Sequence, residues 1–397
     1  MSALAGAAGF RHGIVLPPQL VLRGASDPPG LVNVAVPSSS GARWRSAAGG
    51  MGRTREVAEQ AALGEALERY AAAACRVPEC TKTGLRGPII SLEEFLAYSE
   101  IAPEGEYDGT YTSAYSAFDN EEAWVPTELV VLRPGGLGVT TSSGLAAGRS
   151  PIAALLRAVQ ELVERDALVV TWAHGIAGRR VRLPEHYEAP VLELGGAVSC
   201  VDATSELSPH PVALVAGWIP LRRRPRYSLG AACSATWSQA VEKAYLEWLQ
   251  GVSFVGTYCV LNAETLPRSA DDVRTFDDHA VFYAANPGLW EEVPLLAGEL
   301  VPAPPERPVE REAEQLADLL FALRDAAVRV FYRELTTPDL RQLGVSVVRA
   351  LSPDLAPLWG DHRRRFLAGP VLDVLRRYPW ASAQELRFPS PLPHPLG

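Results

Sequence analysis

Glu65-Ala-Leu-Glu68-Arg69 and Glu161-Leu-Val-Glu164-Arg165 repeat one helical signature, and Glu247-Trp-Leu-Gln250 carries an altered copy. Residues at i and i+3 share a helix face, so each copy presents two acids, or an acid and an amide, in one direction. The last two copies also share their approach. Gly144-Leu-Ala-Ala begins seventeen residues before Glu161, and Gly230-Ala-Ala-Cys begins seventeen before Glu247. Glu164 and Gln250 then fall at the same offset of twenty. A chain that repeats a glycine-led strand followed by an acidic helix is constrained to an α/β fold with internal strand-helix repeats.

One such pair on a solvated helix would mean little. Here the flanks are apolar or small: Ala61-Ala-Leu-Gly64 before the first pair, Ile152-Ala-Ala-Leu-Leu156 before the second and Ala167-Leu-Val-Val170 after it. Carboxylates embedded in apolar helices need a partner, and a cation is the obvious one. Diiron bundles use Glu-x-x-His, and no copy has histidine at i+3. Oxygen-only ligands suit Mg²⁺, which completes its shell with water and phosphates. Arg69 and Arg165 can hold phosphate oxygens by paired N–H bonds. The combination implies Mg²⁺ with a nucleotide. No GxxxxGK[ST] sequence is present, so the nucleotide is expected between helices without a P-loop.

The bulk properties exclude several other classes. At 397 residues, 47% hydrophobic and 21% charged, the chain is globular, and a net charge of −9 favours neither nucleic acid nor an anionic membrane. The basic runs Arg222-Arg-Arg224 and His362-Arg-Arg-Arg365 are short and lie among acidic stretches. Five scattered cysteines form neither a disulfide framework nor a paired zinc motif. No apolar stretch is long enough to span a bilayer, and the N-terminus lacks a charged region followed by a long apolar one. The expected location is cytoplasmic.

Residues 1–46 are expected to form an N-terminal extension with short strands at Gly13–Leu16 and Leu31–Val34, and residues 47–397 a single domain. Gly49-Gly-Met-Gly52 reads as a turn before a helix over about 54–75. Ser150 as N-cap and Pro151 at the first helical position start the second helix, which runs to about Trp172. Strands are expected at Ala197–Val201, Val212–Ala216 and Tyr227–Ala232, then a helix over about 239–251 capped by Ser238. Further on the pattern predicts a helix at 312–327, strands at Val328–Tyr332 and Val345–Arg349, and a helix near 361–377. The tail alternates Pro389, Pro391, Pro393 and Pro395, an extended polyproline-like segment ordinarily solvent-exposed or docked on a partner.

Several stretches together resemble the YcaO family of ATP-dependent enzymes that modify peptide backbones, in particular its azoline-forming cyclodehydratases. They are Ala61–Tyr70, Thr141–Gly148, Ala158–Ala167, Thr275–Tyr283 and the proline-spaced tail. The resemblance covers the chain from about residue 47 onward. It implies that Glu65, Glu68, Glu161, Glu164 and Glu247 bind Mg²⁺ and the ATP phosphates, with Arg69 and Arg165 beside them and Gln250 completing the site. It also implies that Pro391, Pro393, Pro395 and Gly397 bring the tail to the catalytic centre, although Leu396-Gly397 extend beyond the prolines.

In the implied reaction a Cys, Ser or Thr side chain of a ribosomally made precursor peptide attacks the preceding carbonyl. ATP then phosphorylates the resulting oxyanion, and loss of phosphate leaves an azoline. The expected partners are the precursor peptide, a separate E1-like (ThiF-like) leader-binding protein and a flavin-dependent azoline dehydrogenase, with a homodimer as the assembly. Thioamide or macroamidine formation is the alternative within the family, and a non-catalytic peptide-binding scaffold the alternative outside it.

Four positions depart from the family pattern. Ala61 stands where Ser is usual, Met51 where Lys is common, and Ser143 where Asn is expected; no Arg follows Gln250 in Gly251-Val-Ser-Phe254. An active enzyme with a modified nucleotide pocket is expected.

Overall fold

The computed structural model describes residues 3–9, 13–37, 47–96, 107–133, 141–222, 224–382 and 385–397. The chain begins with strands β1 (Gln19–Leu20), β2 (Val32–Val36) and β3 (Ala48–Gly52), then helix α1 (Arg55–Ala74). A short helix α2 (Leu92–Leu96) precedes β4 (Tyr111–Ser116), β5 (Glu122–Pro126) and α3 (Thr127–Val130). Strand β6 (Leu145–Gly148) leads into α4 (Pro151–Ala173). Next come β7 (Arg179–Val181), α5 (Glu185–Glu193), β8 (Ala197–Asp202), β9 (Val212–Leu221) and β10 (Arg224–Cys233), which leads into α6 (Trp237–Leu261). The remainder holds α7 (Phe276–Ala285), β11 (Leu300–Val301), α8 (Glu312–Asp325), β12 (Phe331–Glu334), α9 (Pro338–Gln342), β13 (Ser346–Leu351) and α10 (Val374–Arg377).

The strands form three sheets, in the orders β1-β2-β3, β10-β9-β8-β7-β11 and β5-β4-β12-β13-β6. All pairings are antiparallel except β7 with β11. The fold is therefore mixed α/β. The strand that feeds each signature helix lies at the edge of its sheet: β3 before α1, β6 before α4, β10 before α6. The main core runs from α1 and α4 to the C-terminal third, and a second cluster packs α6 on β9 and β10.

Five expectations are corrected. Gly49–Gly52 is not a turn but most of β3, paired with β2 from Val32↔Gly52 to Val36↔Ala48. Glycine is a weak strand former, yet Gly50 and Gly52 face α1 so closely that a Cβ would lie 2.3 Å from the Ala58 carbonyl or 2.8 Å from Val57. Gly13–Leu16 forms only the isolated bridge Ala8↔Val15. The third signature helix is capped by Thr236, not Ser238, and continues ten residues past the expected end at 251, because Val252, Val255 and Gly256 bury the same face. The strand expected at Val328–Tyr332 starts three residues later. The helix expected near 361–377 survives only as a 3-10 turn at Gly369–Leu372 and the single turn α10, since Gly369 (φ 57°) and Pro370 interrupt it. Strand β3 lies beyond residue 46 and pairs with β2, while residues 38–46 fall outside the described residues.

Candidate functional site

Each signature helix starts in the same way. Thr54, Ser150 and Thr236 are N-caps whose hydroxyls accept from Val57 N (3.3 Å), Ala153 N (3.1 Å) and Gln239 N (3.3 Å). Each cap stands eleven residues before the first acid of its signature, Glu65, Glu161 or Glu247. Each feeding strand also carries a glycine that admits its helix. A Cβ would come within 2.3 Å of Ala58 O at Gly50, 2.5 Å of Ala154 N at Gly148 and 2.1 Å of Ala244 O at Gly230. The repeat is therefore threefold, with β3-α1, β6-α4 and β10-α6 as its units.

The signature residues link these units into a ring. The first acid of each helix bonds its own strand: Glu65 accepts from Gly49 N (2.7 Å), Glu161 from the Gly144 backbone, and Glu247 from Ala231 N (2.9 Å). The second position reaches the next unit. Glu68 accepts from Ala147 N at 2.7 Å, Glu164 from Cys233 N at 3.2 Å, and Gln250 lies against Gly49, where a Cβ would be 2.4 Å from its Nε2. Helix packing follows the same order, α1 on β6, α4 on β10 and α6 on β3.

Five carboxylates therefore meet around one centre with little positive charge to serve them. Arg165 is 3.4 Å from Glu161 and 3.2 Å from Glu164, and three carboxylates hold its guanidinium charged against burial. Arg69 pairs with Glu65 and donates to Ala47 O at 2.8 Å. Burial pushes the Glu164 carboxyl up to about 8, with Glu247 and Glu161 adding to the rise. Burial likewise raises Glu161 and Glu247, and it drives Glu68 well above the usual range, helped by Glu161 and Glu65. A set of acids that burial disfavours as anions is ready for a cation. Among the described residues no group of three or more acids, histidines or cysteines is arranged to hold a metal ion.

A cavity of about 800 Å³ opens on this centre, lined by Glu65 and Glu68 from α1, Glu247 and Gln250 from α6, and Ala147 and Gly148 from β6. Glu161, Glu164 and Arg165 stand behind it. A volume of this size accepts a nucleotide-sized ligand. Mg²⁺ takes only one or two protein carboxylates, and Glu65, Glu68 and Glu247 face the cavity, so the residues fit Mg²⁺ carried on phosphate.

Residues 49–356 match the family described as YcaO cyclodehydratase, ATP- and Mg²⁺-binding. The chain belongs to the YcaO family. Its fold is that of solved YcaO structures. It aligns with a heterocyclase in complex with substrate and cofactor at a TM-score of 0.76 and 19% identity, covering 96% of this chain and 55% of that one. This YcaO chain thus spans about half the length of that heterocyclase. YcaO from Methanopyrus kandleri, bound with AMPPCP and Mg²⁺, aligns at a TM-score of 0.65 and 18% identity over 86% of each chain. The E. coli microcin synthetase McbBCD complex aligns at 0.63 and 16%, over 85% of this chain and 88% of that one. No protein of curated function is matched by sequence. As a YcaO protein it belongs to a family that binds ATP and Mg²⁺. None of its described helices is long and apolar enough to cross a membrane.

Two of the four departures from the YcaO pattern lie at the cavity. Met51 and Ala61 line it; Met51 is buried in the second core cluster. Phe254 ends the stretch after Gln250 in which an Arg is expected and none occurs, and it is partly exposed. Ser143 lies apart, in a smaller cavity of about 60 Å³ shared with Arg165 and Arg349. Three cations lining the main cavity went unnoticed in the sequence: Arg149, Arg157 and Lys243. Arg157 and Lys243 each stand one turn before the first acid of their signature, so the eleven-residue cap spacing would have exposed them.

The proline-spaced tail is docked, not free in solvent. Pro393, His394, Pro395 and Leu396 are buried. Proline offers no N–H, so the tail is held through its carbonyls. Trp172 Nε1 donates to Leu392 O (2.7 Å), Tyr283 Oη to Pro393 O (2.8 Å) and Arg365 Nη1 to Ser390 O (2.7 Å). His279 Nδ1 meets His394 O at 2.9 Å, His394 Nε2 meets Trp359 O at 3.0 Å and His362 Nε2 meets Pro391 O at 3.2 Å. The His279 and His394 rings stack with centroids 3.8 Å apart. Arg165 is near enough to His394 to add to the downward push that burial exerts on its pKa.

Proposed function

We propose that this chain is an ATP- and Mg²⁺-dependent cyclodehydratase that converts Cys, Ser or Thr residues of a ribosomally made precursor peptide into azolines. One observation carries the reading: α1 and α6 bring cation-seeking carboxylates to the wall of one nucleotide-sized cavity, and the repeated helix α4 sets two more behind them.

Glu65, Glu68 and Glu247 would supply the carboxylates that hold the cation, and Glu161 and Glu164 behind them would add negative charge. Mg·ATP, when bound, supplies the phosphoryl group that turns the amide oxygen into a leaving group. The attacking thiol or hydroxyl forms one bond to the preceding carbonyl carbon, and the C–O bond then breaks, so each ring costs the peptide one water. Arg165 and Arg69 neutralise negative charge gathering beside the acids. The apolar wall made by Met51, Val57 and Leu246 excludes water from that charge. The segment Pro391–Gly397 borders the centre through His394 and acts as a positioning element.

The test has two stages. Mg·ATP binding is measured by calorimetry, with Glu161→Ala as the control; no binding at saturating nucleotide sinks the reading. The enzyme is then incubated with ATP, a precursor peptide and a leader-binding partner, and the expected product has lost one water per modified residue. A product in which sulfur replaces the amide oxygen would instead mean thioamide formation.

A further inference from the structure

The three signature helices place equivalent residues one turn before their first acid: Ala61, Arg157 and Lys243. All three line the same cavity. No described residue forms a salt bridge with Arg157 or Lys243, although five carboxylates lie within a few turns of them. Among the described residues Arg157 is tethered by donating Nη1 to Ala147 O at 3.0 Å, and Ala147 N is the group that Glu68 accepts from.

Arg157 and Lys243 are also neighbours of each other. After withdrawal from bulk water, Arg157 is the largest influence pressing the Lys243 ammonium below its usual range. Two like charges at one cavity wall, unpaired and next to each other, repel unless an anion comes between them. A lone surface cation is usually solvated. These two differ because they recur at one position of an internal repeat and share one cavity with an acid cluster.

We infer that Arg157 and Lys243 are the cationic clasp for the polyphosphate chain of the nucleotide, one turn from the carboxylates that hold its cation. The assignment rests on the nucleotide reading above and names residues for which no role has been given. It also answers the missing arginine after Gln250. The third helix carries its positive charge at Lys243, two turns before Gln250, instead of just after it. Ala61, at the third equivalent place, adds no charge.

The test is a ladder of ligands titrated by calorimetry in the presence of Mg²⁺: a non-hydrolysable ATP analogue, ADP and AMP. Arg157→Ala and Lys243→Ala are each expected to weaken the ATP analogue about tenfold, the size of one charge-assisted hydrogen bond. The double variant should lose more than either alone. AMP affinity should change less than twofold, and Lys243→Arg should recover most of the loss. Arg307→Ala, which breaks an exposed pair with Asp318 and removes no residue that lines the cavity, serves as the charge control. Thermal unfolding of each variant confirms that it is folded.

Unchanged affinity for the ATP analogue in both single variants would overturn the assignment. So would an equal loss for AMP and ATP, which would place the residues away from the β and γ phosphates. Wild-type protein that binds no nucleotide would overturn the nucleotide reading and this assignment with it. Wild-type binding with indifferent variants would overturn this assignment alone.

Discussion

Glu164 and Asp166 stand two residues apart on α4, at 8% and 2% exposure, and they are served in opposite ways. Asp166 uses both oxygens: one accepts from Ala356 N at 2.7 Å, the other from Arg377 Nε at 3.0 Å. Arg377 in turn donates to Asp354 O and Asp373, so the pair closes on itself. Glu164 shares one arginine with Glu161 and Glu247 and adds a single backbone N–H. One side of α4 is a finished lock that holds the C-terminal third. The other is an unfinished set of charges, costly to keep and useful only when a ligand completes it. Burial alone does not separate structure from function here; the number of partners per charge does.

The largest effects follow from breaking that contrast. Asp166→Ala leaves the buried Arg377 with only the more exposed Asp373 as counter-ion and should cost about 3 kcal/mol in denaturant unfolding. Glu164→Gln removes a charge that burial already disfavours, so stability should hold or rise. Its ATP-dependent turnover should fall about 10²–10³-fold, as for loss of one charged group facing a transition state. A Glu164→Gln variant that unfolds as easily as Asp166→Ala would erase the distinction.

The two regions should also respond oppositely to pH. Burial holds His394 down to about 3 and His362 down to about 4, against about 6.5 in an unfolded chain. These depressed pKa values give stability that is full above about 6.5 and drains as pH falls toward 4. By linkage, one such histidine loses on the order of 2 kcal/mol at pH 5. Glu164, raised from its usual value to about 8, has the opposite sign: its burial costs nothing below about 4.5 and most above 8. Unfolding measured from pH 4 to 9 should show both arms. Replacing His394 with Phe should flatten the acid arm, and Glu164→Gln the alkaline one.

Much of the acid side was legible in the chain, and little of the lock. The repeated Glu-x-x-Glu-Arg faces, Ser150 as a cap and the choice of Mg²⁺ all follow from local spacing, and local spacing survives folding. The first unit was half hidden, since Gly49–Gly52 has turn composition but strand geometry, imposed by the close approach of α1. Arg157 and Lys243 were missed because they need the repeat to be recognised first. The lock could not be read at all. Asp166 and Arg377 are 211 residues apart, and the tail's partners Trp172, Tyr283 and His362 come from three distant elements. No periodicity announces such pairings. The composition of the tail pointed to solvent, and only the donors waiting for its carbonyls bring it inside.

Glycine substitutions sharpen the same contrast within the acid side. Gly230→Ala drives a methyl against the Ala244 carbonyl and Trp248 N, backbone that cannot step aside, and should cost about 1–3 kcal/mol. Gly49→Ala meets the Gln250 side chain instead, which can swing away. It should leave unfolding nearly unchanged and weaken nucleotide affinity, because it displaces the link that closes the ring from α6 to β3. Equal stability losses would show that Gln250 is as fixed as backbone.

The smallest effect tests whether the tail belongs to the lock alone. Tyr283→Phe keeps the ring, which packs edge-on against Trp290 at 5.2 Å, and removes only the hydroxyl that donates to Pro393 O. The loss of one buried hydrogen bond should cost about 1 kcal/mol. If the tail were a lock and nothing more, that cost would be the whole effect, and turnover at saturating ATP would match the wild type. His394 sits one residue beyond the loosened carbonyl and within electrostatic reach of Arg165, so a slackened tail should disturb the acid centre as well. The expected outcome is a several-fold lower kcat with unchanged affinity for Mg·ATP. Stability loss without any fall in kcat would confine the tail to the structural side of α4.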